Sequence, residues 1–314
     1  MTSLNKKWIV FIILFTASYV ANGADSFLKQ ANGFYDKGEY RKALVLYRKA
    51  LTARENSAIA GFNLANCYFQ LDSIPQSIVY YRAVTDEAPD FFRGYLNLAI
   101  ALYSLDDMGN CMAAITRALE IEPANGKAQM IRAAALRKAG AYPEAIVAFE
   151  KILEADRSNS DIFIALGEMM RELGDDDAAV EYFEQYPESG PNRTYALSCI
   201  VDIYEKLNNS EKLFYYLEQL REKDPTNRWT WYRKCTLYEK TGNPLSAFAE
   251  AKNALLEFPD FGEMALFAGN CAFSLEQLGE AEYYYSLAKK LGCPGAAAGL
   301  ENTEIARNRK YAEN

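Results

Sequence analysis

The chain is 314 residues long and half hydrophobic, with 24% charged residues and no histidine. That absence removes every Ser/His/Asp or Cys/His nucleophile pair, every histidine general base and every histidine-ligated metal site, and with them most familiar hydrolase chemistry. Net charge is −8, and Lys6 and Lys7 are the only charges in the first 23 residues, so the remainder carries −10, which disfavours a uniform nucleic-acid or anionic-membrane binder.

Residues 1–23 read as a secretory signal peptide. Lys6 and Lys7 precede the apolar run Trp8-Ile9-Val10-Phe11-Ile12-Ile13-Leu14-Phe15, and Ala21 and Gly23 put small side chains where a peptidase cutting after Gly23 needs them. The stretch from Trp8 to Val20 is shorter than the ~20 apolar residues that span a bilayer. Cleavage is therefore expected, leaving no stable membrane span and a periplasmic or secreted protein. Cys67, Cys111, Cys199, Cys235, Cys271 and Cys293 form no CxxC and no tight cluster. Buried free thiols are expected in preference to a disulfide framework.

From Ala24 onward the chain repeats itself. Pro89, Pro123, Pro191, Pro225 and Pro259 are separated by 34, 68, 34 and 34 residues. A frame of 34 residues gives eight copies without insertion, starting at Ala24, Ala58, Phe92, Gly126, Ser160, Thr194, Arg228 and Gly262. The eighth place is small in seven copies (Ala31, Ala65, Ala99, Ala133, Gly167, Cys235 and Gly269, with Val201 the exception), and so is the twentieth apart from Leu213. Small residues facing each other let two helices approach closely. Between them the fifteenth place reads Gly38, Asp72, Asp106, Gly140, Gly174, Asn208, Gly242 and Glu276, of which seven tolerate a helix end and a turn. The twenty-fourth place supplies a large partner in most copies, beginning with Tyr47 and Tyr81. Each copy is thus a helix, a short turn and a second helix that the proline ends. Tyr186-Pro187 should cut the second helix of the fifth copy short.

This pattern resembles the tetratricopeptide repeat (TPR) family over essentially the whole mature chain. Asn63-Leu64-Ala65-Asn66-Cys67-Tyr68 and Asn97-Leu98-Ala99-Ile100-Ala101-Leu102 are similar to the family's first-helix motif, and Ala118-Leu119-Glu120-Ile121-Glu122-Pro123 to its second-helix ending; the favoured fourth-place tryptophan is present only as Trp231. The resemblance implies an all-α, right-handed α-solenoid of eight repeats with a polar C-terminal capping helix. The expected organisation is a signal peptide over 1–23, repeats one to five over 24–193, repeats six to eight over 194–295 and the cap over 296–314.

No phosphate loop, nucleophile elbow, zinc-ligand cluster or EF-hand loop occurs, so the chain reads as a non-enzyme with no cofactor and no metal site. The resemblance instead implies a concave groove, lined by the first helices, that accepts a peptide or partner helix. Its expected centre is Tyr35, Phe62, Phe69, Ile100 and Tyr103, bordered by Arg93, Lys127, Arg137 and Lys138, with Asn32 and Asn66 available to a bound backbone. Further on the groove turns acidic at Asp161, Glu168, Glu172, Asp202 and Glu205. A family subclass clamps a partner's carboxyl terminus; Asn32, Asn63 and Arg93 match that clamp, but Leu28 and Asn97 depart from it and rule out the full set. The leading expectation is an exported scaffold or adaptor that binds an envelope protein and no nucleic acid. The alternatives are a structural subunit of an envelope assembly and a glycan- or peptidoglycan-binding module.

Overall fold

A computed structural model of the chain describes residues 26–312, so the expected signal peptide and its cleavage site lie outside the described residues. The described residues fall into two compact units, unit 1 and unit 2, which divide between Ser158 and Asn159. The first holds α1 (Phe27–Tyr35), α2 (Tyr40–Thr52), α3 (Ser57–Gln70), α4 (Ile74–Glu87), α5 (Phe92–Ser104), α6 (Met108–Ile121), α7 (Gly126–Lys138) and α8 (Tyr142–Ala155). The second holds α9 (Asp161–Leu173), α10 (Asp176–Gln185), α11 (Arg193–Lys206), α12 (Ser210–Lys223), α13 (Arg228–Lys240), α14 (Pro244–Glu257), α15 (Gly262–Ser274), α16 (Leu278–Lys290) and α17 (Ala296–Ala312). These are sixteen repeat helices and a cap, with no strand among the described residues. No described helix is long and apolar enough to cross a membrane.

The turn inside each hairpin is the same in all eight repeats. The residue at the fifteenth place is left-handed every time, with φ from 53° at Asn208 to 81° at Gly174. Its N–H donates three residues back, as in Gly38 to the Tyr35 carbonyl at 2.9 Å, and the following N–H donates five back, as in Glu39 to the Phe34 carbonyl at 2.9 Å. This paired closure satisfies the last carbonyls of the first helix and reverses the chain. The sixteenth residue then starts the second helix, and Asp107, Asp175, Asn209 and Asn243 there each accept a backbone N–H with their side chains. Second helices end where a proline follows: Ala88, Glu122, Asp224 and Phe258, each just before one, leave the helical region with ψ between 75° and 81°.

Packing follows the small places. All sixteen residues at the eighth and twentieth places are buried, and so are all eight at the twenty-fourth, from Tyr47 to Tyr285. The second helix of the fifth repeat, α10, has only ten residues where its counterparts have 13 or 14, as Pro187 requires. Tyr186 instead folds back into the core at 1% exposure. The buried Arg193 donates through Nη1 to the carbonyls of Phe183 and Tyr186, both at 3.2 Å, and its Nη2 pairs with Glu188. At the other end, α17 lays Ala296, Gly299 and Thr303 against α16 and α15 and turns Glu301, Glu304, Arg309 and Lys310 to solvent, which is the amphipathic cap that a repeat array needs.

All six cysteines are free thiols, and five are buried. Burial pushes Cys111 up to about 11, and Cys67 and Cys271 to about 12, so the thiolate that alkylating agents require is scarce at neutral pH. Brief iodoacetamide treatment at pH 8 is therefore expected to modify at most Cys293, with all six reacting after denaturation; intact mass reads the difference, and equal labelling of all six in the native protein would contradict it. Among the eight fifteenth-place residues, Glu276 is the one with a long side chain forced into the left-handed region. Its 3.7 Å pairing with Lys310 is exposed and weak. Glu276→Gly is expected to stabilise the protein by about 0.5–1 kcal/mol, the left-handed penalty less the extra freedom of glycine in the unfolded chain, as measured by chemical denaturation.

Candidate partner-binding groove

The first helices of unit 1 bring several of the expected residues together. Tyr35 of α1, Phe69 of α3, Ile100 of α5 and Lys127 of α7 line one open cavity of about 240 Å³, joined by Asn66, Gln70, Tyr81 and Asn97. Phe69 and Ile100 give it apolar surface, and three amides, two phenols and a single ammonium give it polar partners, a combination that can desolvate an anchor side chain while orienting it.

The amides are held by the fold. The Asn66 Oδ1 accepts from the Tyr81 hydroxyl at 2.6 Å and from Asn97 Nδ2 of the next repeat at 2.9 Å. One repeat earlier the Asn32 Oδ1 accepts from Tyr47 at 2.7 Å and from Asn63 at 3.2 Å. Burial is the main cause that raises the phenols of Tyr47 and Tyr81, so both stay protonated donors. This corrects the expectation that Asn32 and Asn66 are available to a ligand: their carbonyl oxygens already tie one repeat to the next. The arrangement was visible in the sequence as a coupling, since tyrosine stands at the twenty-fourth place only in repeats one, two and eight, where asparagine stands at the ninth. Tyr285 and Asn270 make the same contact at 2.9 Å in unit 2.

Other expected residues lie elsewhere. Phe62 does not line the cavity; its half-buried ring meets Phe91 edge-on at 5.1 Å and Tyr81 at 6.0 Å, within the packing between repeats. Lys138 sits 3.1 Å from Asp106, 3.4 Å from the Tyr103 carbonyl and 4.8 Å from the Tyr103 ring, so this lysine and Tyr103 hold each other and the hairpin turn. Arg137 and Lys138 occupy the last turn of α7, where cations complement the helix C-terminus. Arg93, like Lys127, is the second residue of its repeat and is exposed. The first helices of unit 1 carry six basic residues, Lys29, Arg93, Lys127, Arg132, Arg137 and Lys138, and no acid.

In unit 2 four of the five expected acids are engaged: Asp161 accepts from Asn192, at the end of its own repeat, at 3.0 Å, Glu168 accepts from the Tyr195 hydroxyl of the next repeat at 2.8 Å, and Asp202 and Glu205 both bind Arg233 of the next repeat. Two half-exposed rings there, Tyr195 and Trp229, were not foreseen; they share the second place of consecutive repeats. Among the described residues no group of acids and cysteines could hold a metal ion.

These placements separate two neighbouring phenylalanines by experiment. Phe62→Ala is expected to destabilise the protein by roughly 2–3 kcal/mol, below the full cost of a buried phenylalanine because the ring is half-buried. Phe69 is equally half-buried and packed against the same core, so Phe69→Ala should lose a comparable amount of stability, but it alone opens the cavity wall and should weaken partner capture in the folded protein. Denaturation and capture measured on both variants read the contrast.

Two models of the tetratricopeptide repeat match the chain, one over residues 34–93 and 136–198 and the other over residues 96–160, together slightly more than half of it. No protein of curated function matches. Among solved structures the chain is similar in fold to PilF of Pseudomonas aeruginosa, with 17% identity and a TM-score of 0.50 over 69% of this chain and 96% of that one. It is also similar to MamA of Desulfovibrio magneticus RS-1, with 15% identity and a TM-score of 0.49 over 51% and 90%. The chain belongs to the tetratricopeptide repeat family.

Proposed function

We propose that this protein is an exported, non-catalytic scaffold that holds a segment of an envelope protein against the inner wall of unit 1. One observation carries the reading: the cavity bounded by Tyr35, Phe69, Ile100 and Lys127 is walled by amides that the fold has already fixed in place. A wall fixed in advance loses little side-chain entropy when a partner arrives. The signal-like residues 1–23 support export, and a periplasmic or secreted location follows from them as part of the proposal.

A second reading, a structural subunit whose outer face is also buried, is favoured by a different row. Val45, Val79 and Val147 occupy the same place on the second helices of unit 1 and are 52%, 64% and 51% exposed. Such a repeated apolar row is unusual on a fully solvated face.

A photo-reactive residue placed at Gln70, in the cavity, and separately at Val79 distinguishes the two in the organism of origin. Under the scaffold reading, illumination yields a specific adduct from Gln70 that disappears with Phe69→Ala, and the recovered protein begins at Ala24 by mass. An adduct from Val79 in fixed stoichiometry, with none from Gln70, would replace the scaffold with the subunit.

A further inference from the structure

We infer that the inner wall of unit 2 is a second docking surface, and that it takes a protein segment bearing arginine or lysine. The second place of each repeat opens its first helix. Across the four repeats of unit 2 that place reads Asp161, Tyr195, Trp229 and Glu263: acid, ring, ring, acid. Both acids are exposed, and the rings are 48% and 49% exposed.

The rings are fixed while remaining open. Trp229 meets Phe261 edge-on at 5.1 Å and Tyr232 at 5.8 Å, contacts that orient the indole and leave half of it to solvent. The Tyr195 hydroxyl is held by Glu168, so a carboxylate lies beside that ring as well. Fixed, half-exposed tyrosine and tryptophan are the side chains that most often carry binding energy at an interface, because they offer large area at small entropic cost.

Charge selects the occupant. Residues 159–314 carry 16 Lys and Arg against 26 Asp and Glu, so the whole net charge of −10 that remains beyond residue 23 resides in unit 2. Of the cations near the row, Arg233 is neutralised by Asp202 and Glu205, and Arg228 lies over the Phe261 ring at 4.9 Å. A guanidinium or ammonium is attracted both by the ring faces and by the acids that end the row. An acidic segment would meet repulsion. A neutral glycan would use the rings and leave the acids idle.

The test uses the mature protein with hexa-arginine, hexaglutamate and chitotetraose as probes, followed by tryptophan emission and calorimetry at two salt concentrations. Hexa-arginine is expected to bind. The paired substitutions Tyr195→Leu and Trp229→Leu, which keep the net charge and the apolar contact with Phe261, should weaken it about tenfold, the combined effect of two half-exposed cation–ring contacts. Asp161→Asn with Glu263→Gln, both on exposed side chains, should weaken it further and flatten its salt dependence. If the leucine variant lowers the melting temperature, the Asn/Gln variant decides by itself. Unaltered hexa-arginine binding by the variants would reveal diffuse attraction to an acidic unit without a site and overturn the inference. So would equal binding of hexaglutamate or chitotetraose, or no binding at all. None of these substitutions touches the cavity of unit 1, so the Gln70 adduct tests the scaffold reading independently.

Discussion

The close approach of two helices over a pair of small side chains is the contact on which seven of the eight repeats depend, repeat six with Val201 and Leu213 being the exception. Where the eighth place is glycine, the reason is specific: a Cβ on Gly167 would lie 2.7 Å from the Phe183 ring, and one on Gly269 would lie 2.6 Å from the Tyr285 ring. The ring at the twenty-fourth place fills the volume that the eighth gives up. The exchange also runs in reverse, for Val201 faces the smaller Leu217 in repeat six and Cys235 faces Ala251 in repeat seven, all buried. Interiors pack to nearly constant density, so every ring at the twenty-fourth place is matched by alanine or glycine at the eighth.

The difference between a single column and a pair of columns explains what the sequence made legible. Turns, helix ends and buried faces recur at a fixed period, and each could be read one column at a time. Even Glu276, the least suited of the turn residues, adopts the left-handed conformation of the other seven, because the hairpin determines it and the side chain does not. The contacts between columns were harder to see. Phe62 looks like a groove residue from its place in the first helix, but its partner is Phe91, 29 residues later, in the connection that leads into the next repeat. Lys138 looks like part of a basic border, yet Asp106 in the preceding hairpin turn holds it. Neither partner belongs to the residue's own helix, so helical periodicity carries no trace of it.

The fifth repeat shows the limit in another form. Pro187 announces that α10 must stop early, but it does not say what then satisfies the exposed carbonyls of the last turn. A helix end that is buried without donors is costly. Arg193, from the start of the following helix, supplies them with its guanidinium and is itself neutralised by Glu188. A long, permanently charged side chain is thereby buried at 6% exposure without an unpaired charge.

The first helices of the two units are fastened by different chemistry, and this determines what each set can present. In unit 1 the phenol of Tyr81 is at once a core side chain and a wall of the cavity, and through Asn66 it fixes Asn97 on the next first helix. Groove and core there share atoms, so the geometry of the groove has the rigidity of the core. Repeats three to seven lack that asparagine–tyrosine pair, and between repeats six and seven ion pairs fasten the helices instead: Lys234 bridges Glu218 and Glu250 at 2.8 and 2.9 Å, and Arg233 joins Asp202 and Glu205. Amides tied to phenols leave a wall free of acids. Carboxylates recruited to bind cations leave an excess of negative charge wherever they outnumber them. Asp202, Glu205, Glu218 and Glu250 thus belong to how repeats six and seven are fastened together as well as to the charge that unit 2 displays.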